Sequence, residues 1–495
     1  MVPYLALFCW PAVAAWLFSR YSAAFAAVIT VTAGYLLLPE RTGVDLPVLP
    51  EINKETIATG MAVLLIAAGW GKRDSVILKG WLPGDPVFRA IIFILPVSAM
   101  LTTLTNSDPL VFSRLTIPAM RIYDGLSLTL TFIMMLLPFL IGRKMLAHPD
   151  QHRMLLIILC IATVLYAALA LYEVRMSPQL NRTVYGFFPH SWQQHFRAGG
   201  WRPLVFLKHG LFLGIFMCCA LIGTIILFRT EKAVHKPKLI LAGLWIFGTL
   251  FLAKVFGSFL IALVFIPIAL FLNVRLQMLA ALSAALIIMS YPVLRGAGLV
   301  PVNEIVSTVE QINPTRADSL AYRIDHENRL LAHANERPFF GWGLWARNRD
   351  RDPETGLDQS TTDGFWVILI GTYGWTGYLS IFGLLVLPIV MLWRRQQAYG
   401  LTLVTSGLCL MMAANVIDLI PNSGVSPVTW MIAGALAGRL ELGRLSEKTP
   451  QPQPADPAQR PRRRPGPDRQ RPAGTIYTRQ KPADRKVRAG HRKHS

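Results

Sequence analysis

The sequence predicts an all-α polytopic membrane protein of 12 to 13 transmembrane helices, with one large outer (periplasmic) loop and a disordered basic C-terminal tail. Three observations predict it. Of 495 residues, 53% are hydrophobic and only 16% charged, where a soluble domain carries about 25% charged residues. Apolar runs of roughly 17–25 residues recur, the length that crosses about 30 Å of hydrocarbon at 1.5 Å per helical residue. Strand-like alternation is missing, which leaves a helical bundle to satisfy its own backbone in lipid.

In chain order the runs cover residues 4–19, 22–38, 55–70, 87–104, 122–141, 153–172, 204–228, 238–253, 256–272, 276–294, 364–392, 401–420 and 426–440. The eleventh, GFWVILIGTYGWTGYLSIFGLLVLPIVML, is long and broken by Gly371, Gly374 and Gly377, so it is expected to slant or to begin as a re-entrant segment. The chain divides into N-terminal transmembrane helices (1–180), a second membrane region (181–445) containing the outer loop 295–363, and the tail 446–495. The first apolar run lacks a basic flank and a small-residue cleavage site and reads as a retained helix. Cys9, Cys160, Cys218, Cys219 and Cys409 all fall within runs, with no disulfide or metal spacing.

The net charge of +21 does not signal nucleic acid. About half of it lies in the tail, where fourteen Lys/Arg face four Asp/Glu among Pro and Gln; such a segment buries no core and is expected to rest in the cytoplasm on anionic lipid. With the tail inside, WRRQQ, RTEKAVHKPK, GRKMLAHPDQHR and GKRDSVILKG all fall on the cytoplasmic side, as the positive-inside rule requires. Residues 173–203 and 295–363 then face outward.

The large outer loop predicts an amphipathic helix after Pro314 that stops by Pro338, with Leu320, Ile324, Leu331 and Ala334 at helical spacing. His326 and Glu327 lie one turn from Arg323, and Arg316 lies seven residues before it, so one face gathers the polar groups. That face is either a solvated one held by Arg323–Glu327 pairing or a phosphate clamp, guanidinium being permanently charged and bidentate. Trp342, Trp345 and Trp366 serve as interfacial anchors or as platforms for sugar rings. Asp363 stands where the chain returns to the membrane, a costly place for a carboxylate that is neither paired nor used. The shorter outer loop adds Arg197, Arg202, Lys208 and His209. Basic groups in both outer loops run against the positive-inside trend and point to an anionic ligand.

RPFFGWG after an Arg-bearing helix, DGFWVILIGTYGWTG at the return to the membrane, and RPLVFLKHGLFLG upstream, in this order around one late outer loop, resemble the O-antigen ligase and O-antigen polymerase superfamily of membrane glycosyltransferases over residues 180–440. The resemblance implies inverting transfer of a glycan from a polyprenyl-diphosphate carrier to an acceptor hydroxyl of a glycan or lipid, at the outer face of the bacterial inner membrane. It implies no metal, no cofactor and no nucleotide sugar, and other polysaccharide assembly proteins are candidate partners. Arg202, Arg323 and Arg316 match the need for cations at the leaving group. Relatives place a histidine where this chain has Asp363, which leaves Asp363, His326 and His333 as competing bases. AKVFGSF keeps the family's Ser (Ser258) but offers only Lys254 for its Arg. Polymerase is favoured over ligase; a flippase or transporter of lipid-linked polysaccharide is the alternative, and it would want polar residues along its spans.

Overall fold

Each of the thirteen apolar runs folds as a helix: α1 (Val2–Arg20), α2 (Ala23–Leu37), α3 (Lys54–Ala67), α4 (Pro86–Leu104), α5 (Ile122–Met145), α6 (Pro149–Met176), α8 (Gly210–Thr230), α9 (Lys236–Leu252), α10 (Phe256–Phe271), α11 (Val274–Gly296), α14 (Phe365–Arg395), α15 (Leu403–Asp418) and α16 (Pro427–Lys448). Three further helices lie between them: α7 (Leu180–Tyr185), α12 (Val302–Ile312) and α13 (Pro314–Ala334). The computed structural model describes residues 1–448 other than Ser75, Ala198, Asn313 and Thr362, and within helices it leaves out the side chains of Ile312, Thr315, Arg316 and Lys448. The tail expected from residue 446 therefore lies almost entirely outside the described residues, as does the Arg316 side chain. Two short hairpins, β1 (Leu110–Val111) with β2 (Thr116–Ile117) and β3 (Phe196–Arg197) with β4 (Gly200–Trp201), are the strands among the described residues.

Local chemistry marks the helix starts. Pro sits in the first turn of α1, α4, α6 and α9, where its missing N–H costs no hydrogen bond. Asn53 and Thr56 form a capping box on α3, and Asp85, Asn273 and Thr402 cap α4, α11 and α15. Seven helices, α1, α4, α5, α6, α8, α11 and α14, are long and apolar enough to cross a membrane. Large apolar side chains stay exposed on the outer helices, among them Trp16, Phe93, Leu241, Val264 and Leu286. A surface of that kind is suited to lipid. Helices α8 and α15 are buried along nearly their whole length and form the interior, together with most of α14.

The helices pack closely where small residues allow it. On α16, Gly434 and Gly438 sit in the spacing G-x-x-x-G and lie against the Phe139 and Arg143 carbonyls of α5, while Gly142 of α5 lies against the Met431 carbonyl. Added methyl groups would meet backbone, so the two helices approach more closely than larger side chains permit.

The four basic segments meet at one end of the bundle. Arg143 pairs with Glu441 and donates to the Lys79 and Gly80 carbonyls at 3.0 and 2.9 Å. Arg153 pairs with Glu231, Arg444 with Asp85, and Arg395 with Glu447 at 3.7 Å. The connections 38–53, 105–121, 177–209, 297–363 and 419–426 gather at the opposite end, called the outer end after the orientation expected from the sequence.

Candidate functional site at the outer end of the bundle

The segment RPLVFLKH, residues 202–209, is buried from Pro203 to Leu207, and its backbone polar groups need partners there. Side chains of the bundle supply them. The Glu173 carboxylate accepts from the N–H groups of Leu180, Leu204 and Val205 at 2.9, 2.9 and 2.7 Å. The Tyr166 hydroxyl accepts from Phe206 N–H at 3.0 Å, and Lys54 donates to the Phe206 carbonyl at 3.2 Å. This clamp sets Arg202 at one end and His209, which caps α8 through Leu211 N–H at 3.1 Å, at the other. Arg202 crosses Gly210 at the first turn of α8, where only a glycine leaves room. Burial, then Arg197 and Arg323, pull the Arg202 pKa down to about 10. Lys254, in the turn between α9 and α10, reaches the same hairpin, its ammonium lying against Gly200.

Across from this segment, α13 begins at Pro314 as the periodicity predicts and ends at Ala334, with Ala317, Leu330, Leu331 and Ala334 buried. Arg323 Nε lies 3.3 Å from Asp363 Oδ2. The Arg323–Glu327 pair expected for a solvated helix is not among the ion pairs of the described residues; a pair of that type forms instead between Asp325 and Arg329 at 2.7 Å. Asp363 is held by its neighbour: Gly364 abuts the Ile420 carbonyl, and Phe365 N–H donates to the Leu419 and Asn422 carbonyls, both at 3.0 Å. Glu327 is 9% exposed. Burial raises its pKa to about 7, with Asp363 adding to the effect and Arg295, Arg323 and Trp366 opposing it. Arg295, at the end of α11, donates to the Ile324 carbonyl at 3.5 Å.

RPFFGWG has a structural task. Helix α14 breaks at Gly374, which adopts φ +68°, and residues 338–343 thread into the break. Trp342 N–H donates to the Gly371 carbonyl at 2.8 Å and Gly343 N–H to the Thr372 carbonyl at 2.9 Å. In return Trp375 N–H donates to the Pro338 carbonyl at 2.7 Å, and Thr376 N–H to the Phe339 carbonyl at 3.3 Å. Gly341 and Gly374 press backbone on backbone, leaving no space for a Cβ on either. Asn106 and Thr102 donate to the Gly341 and Phe340 carbonyls at 2.9 and 2.7 Å, fastening the segment to α4.

The structure thus brings Arg202, Arg323, Asp363 and Glu327 toward one place, with Arg197 on the adjoining hairpin and Lys254 lying against it. It corrects three expectations. Trp342 is buried, its ring stacked on His333 at 4.2 Å with Arg337 at 4.3 Å, so it offers no open platform to a sugar. Trp366 is buried in the bundle and is no interfacial anchor. His209 is not a cation: burial, then His195 and Arg202, lower its pKa to about 3. His333 is engaged through Nε2 with the Arg347 carbonyl at 3.1 Å, and His326 is buried against the Tyr322 ring. Sequence reasoning missed Arg295, signalled only by its place at the end of an apolar run, and Glu173, which nothing local marks. No family model matches the chain, and no curated protein matches it.

Proposed function

We propose that the protein is a membrane glycosyltransferase that lengthens or transfers a polyprenyl-diphosphate-linked oligosaccharide at the outer face of a bacterial plasma membrane, as a polymerase in preference to a ligase. The observation that carries this reading is the convergence of Arg202, Arg323, Asp363 and Glu327, from three separate segments, at the outer end of an apolar bundle. The positive-inside rule puts the basic end in the cytoplasm and this cluster outside. A lipid-linked diphosphate would reach the cluster from the bilayer and a hydrophilic acceptor from the aqueous side.

In the reaction, the acceptor hydroxyl oxygen forms a bond to the anomeric carbon while the bond from that carbon to the diphosphate oxygen breaks with inversion. Arg202 and Arg323 stabilise the charge that grows on the leaving diphosphate. The hydroxyl proton goes to a carboxylate. Asp363, beside Arg323 and partly open to solvent, meets the acceptor first and is our assignment for the base. Glu327 is the second candidate, favoured by a pKa of about 7, since a base poised near the operating pH is the most effective.

Reconstitution in vesicles with a lipid-linked oligosaccharide tests the reading, with glycan lengthening and free carrier as readouts. Removing a general base costs about 10²- to 10⁴-fold, so Asp363→Asn is expected to lose transfer on that scale while retaining the lipid substrate. Arg323→Lys is expected to lose much of the activity, because the charge stays but the bidentate fork does not. Full turnover in both Asp363→Asn and Glu327→Gln would overturn the proposal.

A further inference from the structure

We propose that His190, His195 and His209 form a three-imidazole site for a zinc-type divalent transition-metal ion. One ligand nitrogen from each ring lies within 4.8 Å of the other two, and the ring centroids are 5.4, 4.9 and 4.8 Å apart. The rings come from two segments, the outer loop before the β3–β4 hairpin and the cap of α8.

The middle ring shows the arrangement most clearly. His195 is 0% exposed. Its Nδ1 lies 3.0 Å from the Ser191 carbonyl, which accepts the ring proton, and its Nε2 is left as a buried lone pair with no hydrogen-bond partner. A metal-ligating histidine takes this form, one nitrogen tied to a backbone carbonyl and the other free for the ion. His190 Nδ1 is likewise buried and unpartnered. His209 uses Nδ1 as the α8 cap, so binding there exchanges the cap bond for a bond to the ion or shifts the ring proton. Tetrahedral metal–nitrogen bonds of about 2.0–2.1 Å require the three nitrogens to draw in by about an ångström, which ring rotation supplies.

Imidazole nitrogens without carboxylates select zinc, cobalt, nickel or copper over magnesium and calcium. Three protein ligands leave the fourth tetrahedral position open, and the nearby Arg197 and Arg202 favour an anion in it. That this anion is the lipid diphosphate rests on the proposed function; metal binding does not, and it is measured without any glycan.

The test uses the full-length protein, purified without a histidine tag, stripped with chelator and dialysed against zinc or cobalt(II). Expected results are one equivalent of zinc per chain by elemental analysis, the visible absorption of tetrahedral cobalt(II), and a higher melting temperature with metal. His195→Ala and His190→Ala should each lose that equivalent, and a control, His235→Ala, should keep it. Wild-type protein without bound metal, without the cobalt spectrum, or with metal that survives in both variants overturns the site. The wild-type measurements decide the matter even where a variant fails to fold.

Discussion

Glu327→Gln should change how stability depends on pH. The Glu327 carboxyl has its pKa raised from the 4.5 of a free glutamate to about 7, first by burial and then by Asp363, against the pull of Arg295, Arg323 and Trp366. The native state therefore holds the proton more tightly than the unfolded one, and the group costs stability as pH rises. The cost is absent below about pH 4.5 and complete above about pH 7. At about 1.4 kcal/mol per pH unit, the gap between 4.5 and about 7 amounts to about 3 kcal/mol. Gln is nearly isosteric and cannot ionise, so wild type minus variant should fall by about 3 kcal/mol between acid and mildly alkaline pH, roughly a few degrees of melting temperature. Tryptophan fluorescence melts of detergent-purified protein across that range measure it, Trp366 reporting from beside the carboxyl. Parallel melting curves for the two proteins would refute the reasoning, because they would mean Glu327 has the same proton affinity folded and unfolded.

Gly374→Ala should cost about 1–3 kcal/mol for a backbone region (φ +68°, ψ −171°) that is essentially glycine-only, with the Phe339 carbonyl standing where the methyl must go; loss of the monodisperse peak on size exclusion is expected, and wild-type behaviour would contradict the threaded break. Glu173→Ala leaves three backbone N–H groups without their acceptor at about 1–3 kcal/mol each, so the 177–209 loop should become sensitive to limited proteolysis while Glu173→Asp suffers less. A reporter fused after Glu447 should report cytoplasm and one inserted near Asp352 the outer side; the same side for both would remove the basis for an outward-facing cluster.

The bundle was legible because lipid leaves a chain few choices. Each of the thirteen apolar runs became a helix, because length and hydrophobicity alone decide that choice in lipid. Arg323 and Asp363 were legible as well, as polar groups placed at a boundary where polarity is costly. The contacts that organise the outer end were not. Glu173 meets Leu204 from 31 positions away, and the three histidines come together only through loop conformation, which no hydrophobic period encodes. Helix α12 was overlooked because VNEIVSTVEQI carries too few apolar residues to stand out beside the spans. RPFFGWG was legible as a motif but not as a splice, since its partners are main-chain groups and main chain is the same in every sequence.

The break in α14 bears on how the chain is made. Residues 338–343 leave the ribosome before the helix whose hydrogen bonds they complete, and under the proposed orientation they must already have been exported when α14 inserts. In that orientation the exported strap docks on the far side of the membrane and closes the open ladder at Gly374. Until it docks, the start of α14 carries uncompleted carbonyls and amides, a nascent form that quality-control proteases on that side could recognise.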